Sequence, residues 1–222
     1  MDGRCRKLFW SKAGSIRSQR LDVESDSYGV KPVPVNKDTW LVADTHLNHK
    51  NILHFRNYHT GELIRPGFDD VHQMNEYIIE QWNAHIKPGD KVIHLGDVFF
   101  GPKDEFLPMW KRLHGSKELI VGNHDDVKFF AKNELVTKIH MWKQMREFGL
   151  LLTHVPLHEN QLRKVPLSQD YDYPKNYMVN IHGHIHDQPS PEGPYRCICV
   201  EQTEYKPVHI EDLKQTLDSI AS

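Results

Sequence analysis

Five separated stretches of this 222-residue chain set a metal-type ligand directly after an apolar run. They are Asp44-Thr45-His46 after residues 40–43, Gly96-Asp97 after 92–95, and Gly122-Asn123-His124-Asp125 after 118–121. His154 follows 150–153, and Gly183-His184-Ile185-His186 follows 178–182. Short apolar runs bounded by glycine or polar turn residues read as buried strands. A chain of this kind must end several strands at one place, with a polar centre beyond a sheet-based core. The order of residue types and the spacing inside each stretch point to two-metal hydrolytic chemistry.

The rest of the pattern is α/β (α+β). Val71, Met74, Ile78, Trp82 and Ile86 recur at three- and four-residue spacing and predict a helix over 70–86 with one stripe on a core. Asp69 or Asp70 can cap it, and Lys87-Pro88-Gly89-Asp90 stops it. Shorter helices are expected over 49–56, 103–113 and 125–132. The later half is richer in strands. Residues 139–142, 144–148 and 149–153 read as antiparallel neighbours, followed by strands over 178–182, 196–200 and 207–210 and a helix over 211–219. Residues 155–177 contain Pro156, Pro166 and Pro174 and read as a long loop over the site. Strands that first alternate with helices and then run consecutively fit mixed sheets packed together, with helices outside.

Residues 1–37 differ from the remainder. Arg4, Arg6, Lys7, Lys12, Arg17 and Arg20 face one acid, Asp2, in the first twenty positions, and no sustained period appears. This segment reads as a basic, flexible or loosely docked arm, with 38–222 as the folded domain. Phe9 and Trp10 beside its charges suit contact with nucleic acid. Formal net charge is only -2, so bulk charge does not mark a nucleic-acid coat protein. Cys5, Cys197 and Cys199 are odd in number, and the Cys-x-Cys spacing suits reduced thiols. No apolar run reaches membrane-spanning length and no secretory h-region is present, so a soluble, cytoplasmic protein without a membrane partner is expected. Oligomeric state is left open.

Chemistry narrows the motifs. In an extended segment Asp44 and His46 share a face and can grip one ion, although such a pair is also a common surface feature. Asp97 follows a glycine that permits a sharp turn, and its two oxygens can bridge two cations. Asn123 offers a neutral oxygen ligand. His124 is then free for acid–base work, with Asp125 able to orient it; an Asn-Asp turn with a helix cap at Asp125 reads equally well locally. His154 alone reads as structural. His184 and His186 form a two-apart pair, whereas His182 has the opposite parity and reads as packing. Sixteen histidines are many for this length, yet only five fall in these stretches.

Together the blocks Asp-x-His, Gly-Asp, Gly-Asn-His-Asp, His and Gly-His-x-His, spread from 44 to 186, resemble the calcineurin-like metallophosphoesterase superfamily. Residues 44–52 and 94–97 are similar to its small single-domain bacterial and phage members. The resemblance implies a four-layer αββα sandwich, two mixed β-sheets flanked by helices. It implies that Asp44, His46 and His186 hold one divalent metal, that Asn123, His154 and His184 hold a second, and that Asp97 bridges them with a water or hydroxide. His124, backed by Asp125, would protonate the leaving oxygen. Manganese is favoured, with Fe, Zn, Ni or Co compatible with mixed N/O ligands. Two such ions against two carboxylates leave about +2, a pocket suited to phosphate. Asn48, His49 and Arg56 are expected at the substrate.

The implied activity is hydrolysis of a small phosphodiester or phosphomonoester, of nucleotide type. A nuclease acting on DNA or RNA is the alternative. The basic arm favours it, and the 36 residues after His186, few for a capping domain, oppose it. Gly96-Asp97 continues Val98-Phe99-Phe100, without the phosphate-clamping arginine of the protein-phosphatase branch, which disfavours phosphoprotein substrates. A non-catalytic scaffold is the least favoured reading.

Overall fold

A computed structural model describes residues 38–162 and 178–213. The basic arm expected over 1–37 lies outside them, as do most of the loop expected over 155–177 and most of the closing helix. Residues 210–213 begin that helix.

Two mixed sheets form the frame. The first runs β4-β3-β2-β1-β9, where β1 is Thr39–Val42, β2 Lys91–His94, β3 Ser116–Ile120, β4 Lys138–His140 and β9 Val208–His209. Strands β1 to β4 are parallel and β9 is antiparallel to β1. The second runs β5-β6-β7-β8: Lys143–Met145, Leu150–Leu152, Val179–His182 and Tyr195–Cys197. Here β5 is antiparallel to β6, while β6, β7 and β8 are parallel.

The period-2 alternation of side chains sorts the core. Leu41, Ile93, Leu95 and Ile120 face the second sheet's Leu150, Leu152, Val179 and Ile181. Val42, Val92 and Leu119 face the other way, into a layer of helices. That layer holds α1 (Val71–His85), α2 (Lys103–Arg112) and α3 (Val127–Lys132). The stripe expected on α1 is buried as predicted, and Asp70 caps the helix by accepting the Gln73 N–H at 2.8 Å. Asp126, not Asp125, caps α3 through the Phe129 N–H.

One strand expectation is corrected. β4 is not the antiparallel neighbour of β5; it pairs in parallel with β3, and the chain changes sheets at 141–142. Residue pattern cannot separate these cases, because both strands are short and only pairing decides. Buried Glu118 sits beside the crossover, with Lys91 of β2, His140 of β4 and Lys143 of β5 around its carboxylate. Burial alone would raise its pKa, but Lys143 and Lys91 outweigh that and push it down to about 2.

β1, β2 and β3 are parallel, so their C-terminal ends share one edge of the first sheet. β6 and β7 do the same in the second. Open α/β sheets bind ligands beyond those ends. Each of the five ligand stretches directly follows one of these strands, which is why residues spread from 44 to 186 meet.

Candidate metal centre

The turns beyond the strands are backbone-strained. Asp44, His46, Asp97, His184 and His186 all have left-handed φ, between 46° and 72°. Non-glycine residues adopt this conformation rarely and at some cost, so such residues cluster at functional sites. It also corrects the reading of Asp44-Thr45-His46 as extended. Two residues brought together by a pleat instead converge through alternate left-handed turns.

Two glycines are dictated by close approach. A Cβ on Gly96, whose φ is +96°, would lie 2.5 Å from the Gly122 nitrogen and 2.8 Å from His154 Nδ1. A Cβ on Gly183 would collide with Asp44 Oδ2. Two turns from different strands therefore touch backbone to backbone.

The side chains fall into two groups. Asp44, His46 and His186 offer one ligand atom each within 4.8 Å of one another, as do Asp97, His154 and His184. Asn123 Oδ1 lies 2.9 Å from His154 Nε2 and 3.0 Å from His184 Nδ1, so it belongs to the second group. Asp97 reaches both: its Oδ2 is 3.5 Å from His154 Nε2 and 3.6 Å from His46 Nε2. His124 stands at the rim, its ring nearly half exposed and its Nε2 4.0 Å from Asp97 Oδ2.

Whether these atoms suit a cation is answered by their bonding. Buried polar atoms are almost always hydrogen-bonded. Asp44 Oδ1 and both ring nitrogens of His46 are buried without a partner. Asp44 Oδ2, by contrast, accepts the His184 N–H at 2.9 Å and the Cys199 thiol at 3.2 Å. Asp44 Oδ1 and His46 Nε2, 3.8 Å apart, belong to the first group, and a mixed carboxylate–imidazole set fits a divalent transition metal; Glu201 Oε2 and Thr203 Oγ1 are orphaned as well.

A layer of partners fixes the ligands. His154 Nδ1 meets the Leu95 carbonyl at 2.8 Å, leaving Nε2 for the centre. Burial lowers the His154 pKa, but Asp97 and Asp44 outweigh it and hold the ring at about 9. For Asp97 burial acts upward, yet the His154 contact and charge win and keep the carboxyl well below the usual range. His186 Nδ1 bonds Glu201 Oε1 at 2.9 Å; that bond and its charge exceed the lowering by burial, so the His186 pKa is raised. Arg65, 1% exposed, bonds the same Glu201 oxygen at 2.7 Å through Nε and caps the Thr45 and Asp44 carbonyls at 2.9 and 2.6 Å. Buried His94 receives the Gly96 N–H on Nδ1 and meets Thr45 Oγ1 at 3.0 Å through Nε2. Burial pushes its pKa down to about 3, against the pull of Asp44 and Asp97, so it stays a neutral strut.

One role expected from sequence is corrected. Asp125 does not orient His124. Its carboxylate accepts the backbone N–H groups of Asp97, Val98 and Gly122 at 2.8–3.0 Å, locking the second turn to the third. Asn48, expected at the substrate, is largely buried, donates its amide to Glu105 at 2.7 Å and lines a separate cavity with Lys50, His72 and Glu105. His49 is also buried. Its Nδ1 accepts the Ile52 N–H, and its ring lies against Phe100, with centroids 4.4 Å apart. Arg56 is exposed and lines a groove beside His186. Glu201 escaped the sequence reading although it carries the same signal, an acid after the apolar run 197–200. Arg65 has no such signal.

The calcineurin-like phosphoesterase superfamily domain matches residues 68–199. The chain belongs to this superfamily. An uncharacterized protein of Methanocaldococcus jannaschii is 29% identical over 182 residues, covering 78% of this chain and 86% of the relative. The gene 66 protein of Mycobacterium phage L5 is 30% identical over 91 residues, 40% of each chain. A crystal structure of a protein of unknown function from Aquifex aeolicus superposes with a TM-score of 0.55 at 28% identity, covering 80% of this chain and 98% of that one. The two mixed sheets and their helices agree with the calcineurin-like fold. Among the described residues no helix is long and apolar enough to cross a membrane.

Glu201→Gln keeps the shape behind His186 and removes the charge. Metal affinity of the first group should weaken by about 10–100-fold, read by calorimetric titration of the chelator-stripped protein. Unchanged affinity for both ions would show that the carboxylate does not tune His186.

Proposed function

We propose that this calcineurin-like chain is a two-metal-dependent phosphoester hydrolase with a preference for phosphodiesters of nucleotide type. The observation that carries the reading is the position of Asp97 Oδ2 between the two ligand groups, 3.5 Å from His154 and 3.6 Å from His46, beside the orphaned atoms of Asp44 and His46. Asp44, His46 and His186 would hold one divalent cation; Asn123, His154 and His184 the other, with Asp97 shared. Bound there, the ions supply Lewis acidity toward a phosphoryl oxygen and acidify a water for attack.

The chain's own groups do the rest. His124 is held over the centre by its backbone N–H on Asp97 Oδ1 at 2.9 Å, while its ring stays partly exposed toward an incoming leaving oxygen, to which it gives a proton. Phe100 packs edge-on against that ring and shields it from solvent on one side. Val98 and Phe99 follow Asp97 and are buried, and no arginine stands among Val98, Phe99, Phe100 and Gly101. With no guanidinium in the stretch that follows Asp97, the site favours the singly charged diester over the dianionic monoester.

With Mn, Fe, Zn, Ni or Co supplied in turn, the protein should hydrolyse bis-p-nitrophenyl phosphate faster than p-nitrophenyl phosphate. EDTA should abolish turnover and added metal restore it. Chelator-resistant hydrolysis would defeat the metal-dependent reading.

A further inference from the structure

Two grooves open from the centre. One, of ≈ 790 Å³, is walled by Phe55, Arg56, Tyr58, His59, Ile185 and His186, and so borders the first ligand group. The other, of ≈ 320 Å³, is walled by Asn123, Met141, Trp142, His154, Val155 and Leu157, and borders the second. Both carry large apolar side chains in solvent: Tyr58 is 91% exposed and Phe55 46%, Trp142 62% and Met141 67%. Single exposed apolar residues are ordinary, but apolar surface gathered in grooves marks a binding site. Here one such surface lies against each half of a phosphate-type centre.

We propose that the two grooves are the arms of one substrate site, and that the substrate is a phosphodiester with a nucleobase on each side, as in a single strand of nucleic acid. The inference rests on the phosphoesterase reading. A diester has two ester oxygens, and with phosphorus at the centre each oxygen leads its substituent into one groove. Both walls carry aromatic rings and aliphatic surface, which suits stacking by any base rather than readout of one. Arg56, in the first groove, adds a cation for a neighbouring phosphate or a stacked ring. A duplex keeps its base faces against one another and cannot fill both arms. In hydrolysis water adds to phosphorus and one P–O ester bond breaks. A phosphomonoester leaves in one arm and an alcohol, protonated as it departs, in the other.

The test uses the full, manganese-loaded chain. Tyr58→Ala and Trp142→Ala should each raise KM for a short single-stranded oligonucleotide by about 10-fold, and the double variant by about 100-fold, in keeping with the worth of one base stacked on one ring. Methyl p-nitrophenyl phosphate carries a single ring, so the double variant should be no poorer on it than the poorer single variant. Both substitutions are at exposed positions and should leave the fold intact. Wild-type turnover of both substrates with KM unchanged in both variants would overturn the grooves and leave the phosphoesterase reading standing. Absence of turnover with every metal would remove that reading instead. The grooves would then be judged by oligonucleotide binding, read as quenching of Trp142 fluorescence against Trp142→Ala. No quenching, or a duplex binding as tightly as the single strand, would overturn them.

Discussion

Asp97→Ala should leave a folded protein that binds fewer than two metal ions per chain and has lost about 10³-fold or more in kcat. One carboxylate serves both ligand groups, so its removal disturbs both. An ion's Lewis-acid share is several kcal/mol, on the order of 4, and each ~1.4 kcal/mol is tenfold in rate. His124→Ala provides the contrast. His124 faces the centre without joining either group, so that variant should retain both ions and still lose about 10²–10⁴-fold in turnover. Elemental analysis beside steady-state kinetics separates the two. Two ions retained in Asp97→Ala would contradict the shared ligand, and full activity in His124→Ala would remove it as the proton donor.

Arg65→Ala should be the most destabilising change near the site. The guanidinium neutralises Glu201 and caps two carbonyls in the left-handed turn that carries Asp44 and His46. Without it, a buried carboxylate faces His186 alone and two carbonyls lose their donor. Breaking a buried pair in this way costs about 3–5 kcal/mol, which for a chain of this size lowers Tm by about 10 °C. Arg65→Lys keeps the charge but not the fork and should recover only part of the loss. Calorimetry of the metal-free protein is the measurement, since bound metal would mask the difference by mass action. An unchanged midpoint would show that the network does not support the turn.

The helix stripe of α1 was legible because a one-sided burial pattern has its own period, and the strands β1, β2, β3 and β7 were legible as short apolar runs. The pairing of β4 was not, since three residues carry no partner preference and the sheet change at 141–142 has no local signature. The ligand series was legible for a related reason: each ligand directly follows its own strand, so local sequence places it. Glu201 obeys the same rule after β8 and could have been found by it.

The sequence by itself determined which residue types gather and that a carboxylate–imidazole centre must lie beyond the strand ends, because ligand chemistry and strand periodicity are both local. The resemblance already implied how the ligands divide; only the tertiary structure brought the two groups together and decided what holds them. It places His184 and His186, two apart in the chain, in different candidate groups, the division the resemblance implied. It turned Asp125 from a partner of His124 into a clamp on three backbone N–H groups, and it drew Arg65 under the turn of Asp44. Those outcomes depend on left-handed backbone at alternate residues and on contacts between segments more than 20 positions apart, which no spacing along the chain encodes.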